Sequence, residues 1–484
     1  MKQTKIVATI SDLRCEVDFL QRLFDAGMNV VRMNTAHLDE EGFSRIIANV
    51  KAVSNKLAVL MDTKGPEIRT TTTVNGFDIA ITSGDRIRIY GDATRLSSKE
   101  AIGVSYVNIV KDLALGSDLL LDDGEIDLKV IDIGDDYLLC EAQNDGFLGS
   151  RKSVNVPGVR FNLPSLTEKD KHNIALAIKY DVDFIAHSFV RCKQDVLDIQ
   201  SILDTYNSEI KIIAKIENQE GVDNIDEILE VAYGIMIARG DLGIEIPQEK
   251  IPGIQRILIR KSVAARKPVI VATQMLHSMI KNPRPTRAEV TDIANAIYYR
   301  TDAIMLSGET AYGKYPEESV ATMAKIAEEA EKTKIPDNDI KIPFVNNPNE
   351  PDITSFLAME AAEAAKTLGT KAIITDSYTG RTARHLAAYR STNPVLAICY
   401  KERTMRMLAL SYGVFPMFQA QLSNPREYLV KAIIMLLDKG LLSKEDFVSF
   451  LSGSYGIGSG STFLELNQVG KVLDFQEGYS LPNF

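Results

Sequence analysis

Eight short runs of apolar and β-branched residues recur along the chain, and most are separated by stretches with the apolar spacing of amphipathic helices. Runs of this kind, bounded by turn-forming residues, are typical of strands covered on both faces. The runs are KIVATI, MNVVRMN, LAVLMDT, DFIAHSFV, IIAKIEN, GIMIARGD, PVIVATQ and AIMLSGE. Because strands that alternate with helices form parallel sheets, eight such units predict an α/β fold, a (β/α)8 TIM barrel.

The connection between the third and fourth runs is much longer than the others. About 118 residues separate Gly65 from Asp183, where a strand-to-helix connection needs a few tens at most. Within it, GFDIAITSGDRIRIYGD and LLLDDGEIDLKVIDIGDDYLLCEA alternate apolar and polar residues around N-G, S-G-D and D-D-G turns, which is typical of hairpins. We therefore predict a small all-β domain inserted into the barrel.

A segment rich in proline, asparagine and aspartate, IPDNDIKIPFVNNPNEPD, follows the last barrel helix and indicates a domain boundary. From Ile353 a new alternation begins, with an alanine-rich helix and the runs KAIITDS, PVLAICY and GVFPMF. This spacing predicts an open C-terminal α/β domain. The predicted divisions are barrel 1–69 and 154–340, inserted domain 70–153, and C-terminal domain 341–484.

Composition excludes several classes of partner. Hydrophobic residues make up 45% of the chain and charged residues 25%, and the net charge is −10, which argues against nucleic acid and anionic membranes. No apolar segment is long enough to span a bilayer, and the first residues lack a signal-peptide pattern. The four cysteines form no C-x-x-C pair, so we expect reduced thiols in a cytoplasmic protein.

Polar side chains follow the carboxyl ends of six predicted barrel strands. They are Arg32 and Asn34, Asp62 and Lys64, Lys215 and Glu217, Arg239 and Asp241, Thr273 and Gln274, and Ser307 and Glu309. In five of the six pairs, a spacing of two residues would place both side chains on one face of the strand. A layer of structural ion pairs could account for any one pair, but it explains six convergent strand ends poorly. The carboxyl end of such a barrel is where active sites lie.

The residue types at these ends favour a phosphorylated carboxylic acid as ligand. Glu217 and Asp241 are hard oxygen ligands that suit Mg²⁺ or Mn²⁺. Lys215 can place a positive charge beside a phosphoryl group or an enolate, and Arg32 offers a planar fork to phosphate. Backbone N–H groups of ARGDLG, which contains Gly240, can reach a carboxylate. A second, monovalent cation could be held by Asn34, Asp62 and the backbone carbonyl of Thr63.

Several segments, in the same order along the chain, resemble the pyruvate kinase family. They are GMNVVRMNTAH, MDTKGPEIRT, LTEKD, SFVR, KIIAKIEN, GIMIARGDLGIEIP, KPVIVATQMLHSMIKNPRPTRAEVTDIANA and TDAIMLSGETAYGKYP. The resemblance covers the barrel closely and the other two domains more loosely. It implies phosphoryl transfer from phosphoenolpyruvate to ADP, giving pyruvate and ATP in glycolysis, by a homotetramer in which the inserted domain acts as a lid.

The resemblance also implies a role for each matched residue. Glu217 and Asp241 would bind Mg²⁺ or Mn²⁺, Lys215 would stabilise the phosphoryl group in transfer, and Thr273 would lie near the enolate carbon that is protonated. The substrate contacts would be Arg32, Lys215, Gly240, Asp241 and Thr273. The nucleotide contacts would be Arg32, His37 and Lys152. The K⁺ ligands would be Asn34, Asp62 and Thr63, with Glu67 typical of potassium-dependent members.

The segment SYTGRTAR resembles the family's phosphate-binding loop for allosteric sugar phosphates. Its hydroxyl groups, on Ser377, Thr379 and Thr382, would bind the effector near a helix start, which favours anions, although an ordinary helix cap is the alternative. Other positions depart from the family pattern. Ala36 stands where a potassium-binding serine is usual, and Asp12 and Leu13 replace a glycine-proline turn beside the nucleotide. Further departures are Tyr233, His277, Tyr299 and Arg300.

Two other interpretations remain open at this point. A metal-dependent barrel lyase or aldolase that stabilises pyruvate enolate would share Glu217 and Asp241 but needs no nucleotide lid. The inserted domain that carries Lys152 argues against it. A binding or regulatory protein on a decayed enzyme scaffold would not need an intact set of Lys215, Thr273 and the two carboxylates.

Overall fold

The N-terminal segment contributes three strands and two helices to the barrel. The computed structural model describes residues 1–35, 38–333, 351–422, 425–453 and 460–477. The first elements are β1 (Lys5–Ile10), α1 (Val17–Asp25), β2 (Val30–Asn34), α2 (Glu40–Val53) and β3 (Ala58–Asp62). Every residue of β1 and β3 is buried, as expected of strands with helices on one side and the barrel interior on the other.

The chain leaves the barrel after β3 and forms the inserted domain. Its elements are β4 (Ile79–Ile81), β5 (Arg86–Tyr90), β6 (Ala101–Gly103), α3 (Ile109–Asp112), β7 (Asp118–Leu121), β8 (Ile126–Ile133), β9 (Tyr137–Ala142), β10 (Gly146–Leu148) and β11 (Val154–Asn155). Six strands form one sheet in the order β11-β7-β8-β9-β5-β6, and β4 pairs with β10. The insertion is therefore almost entirely β, with α3 as a single helical turn.

Two details of the inserted domain differ from the prediction. The D-D-G turn does join the hairpin of β7 and β8, with Asp122, Asp123 and Gly124 all at positive φ. The S-G-D turn joins no hairpin, because β4 pairs with β10 while β5 pairs with β6 and β9. The division placed at residue 153 also falls just before β11, whose Val154 packs in the apolar core of the inserted domain.

The chain then returns to the barrel and completes it. The elements are α4 (Glu168–Lys179), β12 (Phe184–His187), α5 (Lys193–Thr205), β13 (Lys211–Ile216), α6 (Gln219–Asp223), α7 (Ile225–Val231), β14 (Gly234–Ala238), α8 (Arg239–Glu245), α9 (Ile251–Ala264), β15 (Val269–Ala272), α10 (Arg287–Tyr298), β16 (Ala303–Leu306), α11 (Gly308–Ala311) and α12 (Pro316–Thr333). The strands close in the order β1-β16-β15-β14-β13-β12-β3-β2, and every pairing is parallel. All eight predicted runs lie in this barrel, so the TIM-barrel prediction is confirmed.

The C-terminal domain is an open α/β sheet, as predicted. Its elements are α13 (Ile353–Leu368), β17 (Ala372–Ser377), α14 (Arg381–Tyr389), β18 (Val395–Cys399), α15 (Glu402–Met407), β19 (Val414–Phe418), α16 (Pro425–Asp438), β20 (Phe447–Ser452), β21 (Phe463–Gln468) and α17 (Val469–Glu477). The strand order is β19-β18-β17-β20-β21, with only β21 antiparallel. The division placed between residues 340 and 341 lies outside the described residues.

The C-terminal domain closes the amino-terminal end of the barrel. Met407 and Leu410 belong to the same buried cluster as the side chains that fill the barrel interior, among them Val30 and Phe184. The hydroxyl of Tyr233, the residue before β14, donates to the carbonyl of Met407 at 3.2 Å. The carboxyl ends of the strands consequently remain the accessible end. None of the described helices combines the length and apolarity that a membrane span requires.

Candidate active site at the carboxyl ends of the barrel strands

Four of the predicted site residues form one buried ionic network. Arg32 on β2 donates to Asp62 at the end of β3 through Nε, at 3.0 Å, and through a second, shorter bond. Lys215 on β13 lies 3.4 Å from the same carboxylate and 2.9 Å from Glu217. Two cations and two carboxylates therefore converge, as the sequence predicted for the ends of these three strands.

Lys215 is held as a permanent cation. Its ammonium also donates to the hydroxyl of Ser188 at 2.8 Å, and its side chain is 10% exposed. Burial opposes the charge, but the carboxylates of Asp62 and Glu217 outweigh burial and raise the pKa of Lys215 above its ordinary value. Such a group cannot act as a base near neutral pH, and it can stabilise negative charge that develops next to it.

Glu217 and Asp241 supply the carboxylates predicted to bind a divalent cation. Glu217 is almost fully buried, and its Oε2 accepts from the N–H of Phe189 at 2.7 Å. Burial and the neighbouring charge of Asp241 raise the pKa of Glu217 to about 7, although Lys215 opposes this rise. Two close carboxylates that repel each other in this way are the donor set that Mg²⁺ or Mn²⁺ takes together with water and substrate oxygens. Among the described residues, no cluster of three or more histidine, cysteine or acidic side chains offers an alternative.

The residues predicted to bind K⁺ lie around Asp62. Its Oδ2 forms ion pairs with both Arg32 and Lys215. Its Oδ1 is buried and has no hydrogen-bond partner among the described residues. Asn34 lies directly opposite Asp62 in the register of β2 and β3. The carbonyl of Thr63 accepts from Ser188 at 2.8 Å, which leaves a second lone pair. The K⁺ site at these oxygen donors stays a prediction.

Thr273 has a backbone conformation that is unusual for a threonine. Thr273 and Gln274 both have positive φ, at 69° and 55°, a conformation that costs energy for residues with a Cβ and is concentrated at functional sites. The Thr273 hydroxyl donates to the carbonyl of Ala272 at 2.7 Å and accepts from the N–H of Gly240 at 2.8 Å. The Gly240 N–H that was predicted to bind a carboxylate is therefore engaged with Thr273 in this structure.

Three of the predicted strand-end pairs do not converge as expected. The prediction placed Arg239 and Asp241 on one strand face, but β14 ends at Ala238 and both residues lie in α8. Residues two positions apart in a helix lie about 200° apart around its axis, so the side chains of Arg239 and Asp241 diverge. Arg239 donates to Asp292 at 2.6 Å, whereas Asp241 lines the cleft below the inserted domain.

Glu309 has a structural role. Its carboxylate accepts from the N–H groups of Leu276 and Ser307, at 3.1 and 2.7 Å, and joins the turns that follow β15 and β16. Lys64, at 4.0 Å from Glu67, also stays apart from the ionic network. The N–H of Lys64 donates to Asp170 at 2.7 Å, which fixes the turn after β3.

A cleft of about 400 Å³ lies between the barrel and the inserted domain. Glu67 and Ser153 line it on one side, and Asp241 lines it on the other. Lys152, the predicted nucleotide contact, lies between β10 and β11 of the inserted domain but is not among the lining residues. Its ammonium pairs with Asp122 at 2.8 Å. The other predicted nucleotide contact, His37, lies outside the described residues, as does Ala36.

The predicted effector loop connects β17 to α14. Ser377 accepts from the N–H of Gly380 at 3.0 Å, Thr379 accepts from the N–H of Arg381 at 3.4 Å, and Thr382 shares a hydrogen bond with Ser461 at 2.8 Å. The hydroxyls therefore lie around a helix start, in hydrogen bonds that either a cap or an anion-binding loop would make.

Three contributors to the site were not predicted from the sequence. Ser188 binds Lys215, Thr9 accepts from Arg32 at 3.0 Å, and the N–H of Phe189 fixes Glu217. Ser188 and Phe189 lie within SFVR, a segment that resembles the family but to which the resemblance assigns no residue role. Phe189 has a φ of 56°, a conformation that no apolar pattern signals.

Comparison with known proteins identifies the family. The family model described as "Pyruvate kinase, barrel domain" matches residues 1–320, and "Pyruvate kinase, alpha/beta domain" matches residues 355–463. The chain is 47% identical to a pyruvate kinase of Borreliella burgdorferi over 475 residues, which is 97% of this chain and 98% of the relative. It is 44% identical to a pyruvate kinase of Bacillus licheniformis over 486 residues, which is 99% of this chain and 82% of the relative.

A solved structure agrees with these matches. The crystal structure of a pyruvate kinase from Cryptosporidium parvum aligns with a TM-score of 0.90 at 35% identity, and the alignment covers 97% of this chain and 96% of that one. Family models and full-length relatives thus agree with the barrel and the C-terminal α/β domain described above. The chain belongs to the pyruvate kinase family.

Proposed function

We propose that the chain transfers the phosphoryl group of phosphoenolpyruvate to ADP, giving pyruvate and ATP, and that this is its step in glycolysis. The observation that carries the proposal is the position of Lys215 between Asp62 and Glu217, with Asp241 close by. The comparisons support the same reaction, and no feature of the site favours a lyase or an aldolase over it.

The transferred phosphoryl group would lie against Lys215 and Arg32. The P–O bond to the enol oxygen breaks, and a bond forms between phosphorus and a terminal oxygen of the β-phosphate of ADP. Such transfer depends mainly on positioning and on stabilisation of charge. Because the pKa of Lys215 is raised, its ammonium keeps its charge throughout the reaction, while Arg32 is oriented by Asp62.

Glu217 and Asp241 would hold Mg²⁺ or Mn²⁺. When bound, the divalent ion would neutralise substrate carboxylate and phosphoryl oxygens. Asn34, Asp62 and the Thr63 carbonyl would hold K⁺, and the buried Oδ1 of Asp62, which has no hydrogen-bond partner among the described residues, supports this assignment.

Thr273 would position the proton donor for the enolate. After the phosphoryl group leaves, the methylene carbon of the enolate must gain one proton to give pyruvate. The Thr273 hydroxyl is oriented by Ala272 and Gly240 and can orient a water molecule for this step. Lys152 would contact the nucleotide phosphates once the inserted domain closes as a lid, exchanging its pairing with Asp122 for phosphate oxygens.

Further proposals follow from family membership. We infer a cytoplasmic homotetramer whose activity responds to a sugar phosphate bound at Ser377, Thr379 and Thr382. Light scattering of the purified protein would measure the assembly, and the Thr382→Ala variant should lose the response of the reaction rate to the effector.

A direct assay tests the reaction. Purified protein with phosphoenolpyruvate, ADP, Mg²⁺ and K⁺ should form pyruvate and ATP in equal amounts. Omission of ADP should stop pyruvate formation, and replacement of K⁺ by Na⁺ should slow it. Pyruvate formation at an undiminished rate without ADP would contradict phosphoryl transfer to a nucleotide and would favour the lyase interpretation.

A further inference from the structure

A second cavity, of about 490 Å³, lies at the opposite end of the barrel, against the C-terminal domain. Its barrel wall comes from the amino-terminal ends of three neighbouring strands, because Lys211 begins β13, Tyr233 precedes β14 and Lys267 precedes β15. Its other wall includes Arg384 and His385 of α14. We call this space the basal cavity. Its volume is within the range of small-molecule sites.

The basal cavity concentrates positive charge. Five cationic side chains line it, namely Lys211, Arg266, Lys267, Arg381 and Arg384. Among the described residues of the lining, Asp352 is the one acidic side chain, and it lies 3.3 Å from Arg381 and 4.0 Å from Arg266. A single carboxylate cannot neutralise five cations, so the cavity attracts anions.

The pKa values of the two lysines reflect this excess of charge. Burial and then the guanidinium of Arg384 lower the pKa of Lys267 to about 8, against the weaker effect of Glu230. The same two causes lower the pKa of Lys211, against Glu209. Lys211 forms no ion pair with any residue of the described ranges. A bound anion would relieve the repulsion that these shifts report.

Two lining residues of the basal cavity also contain buried polar atoms. His385 is 8% exposed, and its Nδ1 has no hydrogen-bond partner among the residues described. The Nε of Arg266 is likewise buried without a partner in the described part of the chain. Both atoms are buried behind the surface of the cavity, so the five cationic side chains, and not these two atoms, carry the case for a bound anion.

We propose that the basal cavity binds a small organic phosphate that carries at least two negative charges. Arginine guanidinium groups bind phosphate oxygens in pairs, and lysines add point charges, so the lining matches a phosphate ester better than a lone carboxylate. The predicted effector hydroxyls of Ser377, Thr379 and Thr382 do not line this cavity, whereas Arg381 and Arg384 of the same segment do, so the basal cavity adjoins the predicted effector loop.

Binding to the full-length protein tests the proposal. Isothermal titration calorimetry with inorganic phosphate, pyrophosphate, a hexose monophosphate, a hexose bisphosphate and a nucleoside monophosphate distinguishes the sources of the phosphate. At least one organic phosphate should bind the wild type, and Lys211→Glu should weaken that binding at least tenfold. Lys171→Glu makes the same charge change on the exposed surface of α4 and should leave the affinity unchanged.

Two further measurements separate this site from the effector loop. Thr382→Ala should retain the binding that Lys211→Glu loses. Acetylation of lysines in the wild type, read by mass spectrometry, should be slower at Lys211 and Lys267 with ligand present and unchanged at Lys171, a result that depends on no variant folding. Absence of binding by every compound, loss of binding in Thr382→Ala alone, or unprotected Lys211 in a ligand-saturated sample would each overturn the proposal.

Discussion

The guanidinium of Arg239 donates to the backbone carbonyl of Thr273 at 2.7 Å while its other terminal nitrogen binds Asp292 at 2.6 Å. Thr273 and Gln274 both have positive φ, so this bidentate contact helps to hold a strained turn at the end of β15. Arg239 therefore acts as a positioning residue for the Thr273 hydroxyl.

Replacement of Arg239 by lysine should lower kcat by about 10- to 100-fold, because one ammonium cannot make both hydrogen bonds of the guanidinium. Small displacements of a group at a reacting centre are costly to the rate. KM for phosphoenolpyruvate and the affinity for Mn²⁺ should change little, since Glu217 and Lys215 are held by other contacts. Steady-state kinetics and Mn²⁺ titration measure both. Asp292→Asn should give a smaller effect in the same direction. A raised KM with unchanged kcat would contradict a positioning role.

Replacement of Lys215 by methionine should abolish most of the phosphoryl transfer. The variant keeps the volume of the side chain but removes the charge beside the transferred group, which should lower kcat about 1,000-fold or more. Lys171→Met, on the exposed surface of α4, is the matched control and should retain full activity. Circular dichroism would establish that both variants are folded. Normal turnover by Lys215→Met would refute the role assigned to this lysine.

Substitutions of the two carboxylates should weaken binding of the divalent ion. Loss of a group that merely supports a ligand typically costs 10- to 100-fold in metal affinity, so Glu217→Gln and Asp241→Asn should each cost at least about tenfold. Electron paramagnetic resonance of free Mn²⁺, with phosphoenolpyruvate present, measures the affinity. Glu168→Gln, an exposed carboxylate on α4, serves as the control. Equal Mn²⁺ affinity in Asp241→Asn and the control would remove Asp241 from the ligand set.

The apolar pattern was sufficient to predict the eight barrel strands, because covered parallel strands are the main cause of such runs. It could not predict where a strand gives way to a helix. One such transition, after Ala238, turns Arg239 away from Asp241. Pairing between strands that are distant in the sequence could not be predicted from local pattern either: the S-G-D turn is hairpin-like, yet β4 pairs with β10, more than 60 residues along the chain.

The residues of the candidate site could likewise be predicted only in part. The residue types at strand ends identified Arg32, Asp62, Lys215 and Glu217, since buried charges must be paired or bound. The hydroxyl of Ser188 beside Lys215 went unnoticed, because one serine has no distinctive spacing. The ion pair of Lys152 with Asp122 also depends on tertiary folding that no motif encodes.

The cysteines differ sharply in burial, which predicts their reactivity. Cys15, Cys140 and Cys399 are buried, and Cys192 is partly exposed. Burial raises the pKa of Cys140 and of Cys399 to about 12, so their thiolates are scarce at pH 8. Titration of the native protein with Ellman's reagent should show one fast thiol, and denatured protein should show all four. Cys192→Ser should remove the fast phase. A fast-reacting thiol that remains in this variant would contradict the burial of the other three cysteines.

Lys5 makes the stability of the protein depend on pH in the alkaline range. Its ammonium is buried against the C-terminal domain, where it donates to the carbonyl of Val414 at 2.5 Å and lies 4.6 Å from the ring centre of Phe415. Burial and then the charge of Lys2 lower the pKa of Lys5 to about 7. The ordinary value, which applies to the unfolded chain, is about 10.4.

Because the folded-state pKa of Lys5 is the lower one, the unfolded chain binds more protons between pH 7 and about pH 10.4. The unfolding free energy should therefore rise with pH across this window, by at most about 1.4 kcal/mol per unit from this group. The unfavourable contribution is fully present below pH 7 and is lost as the pH rises through the ordinary pKa. Lys5→Met removes the titration, so the melting temperature of the variant relative to wild type should fall steadily between pH 7 and pH 10. Lys171→Met should show a constant difference, and a constant difference for Lys5→Met as well would mean that Lys5 titrates normally in the folded protein.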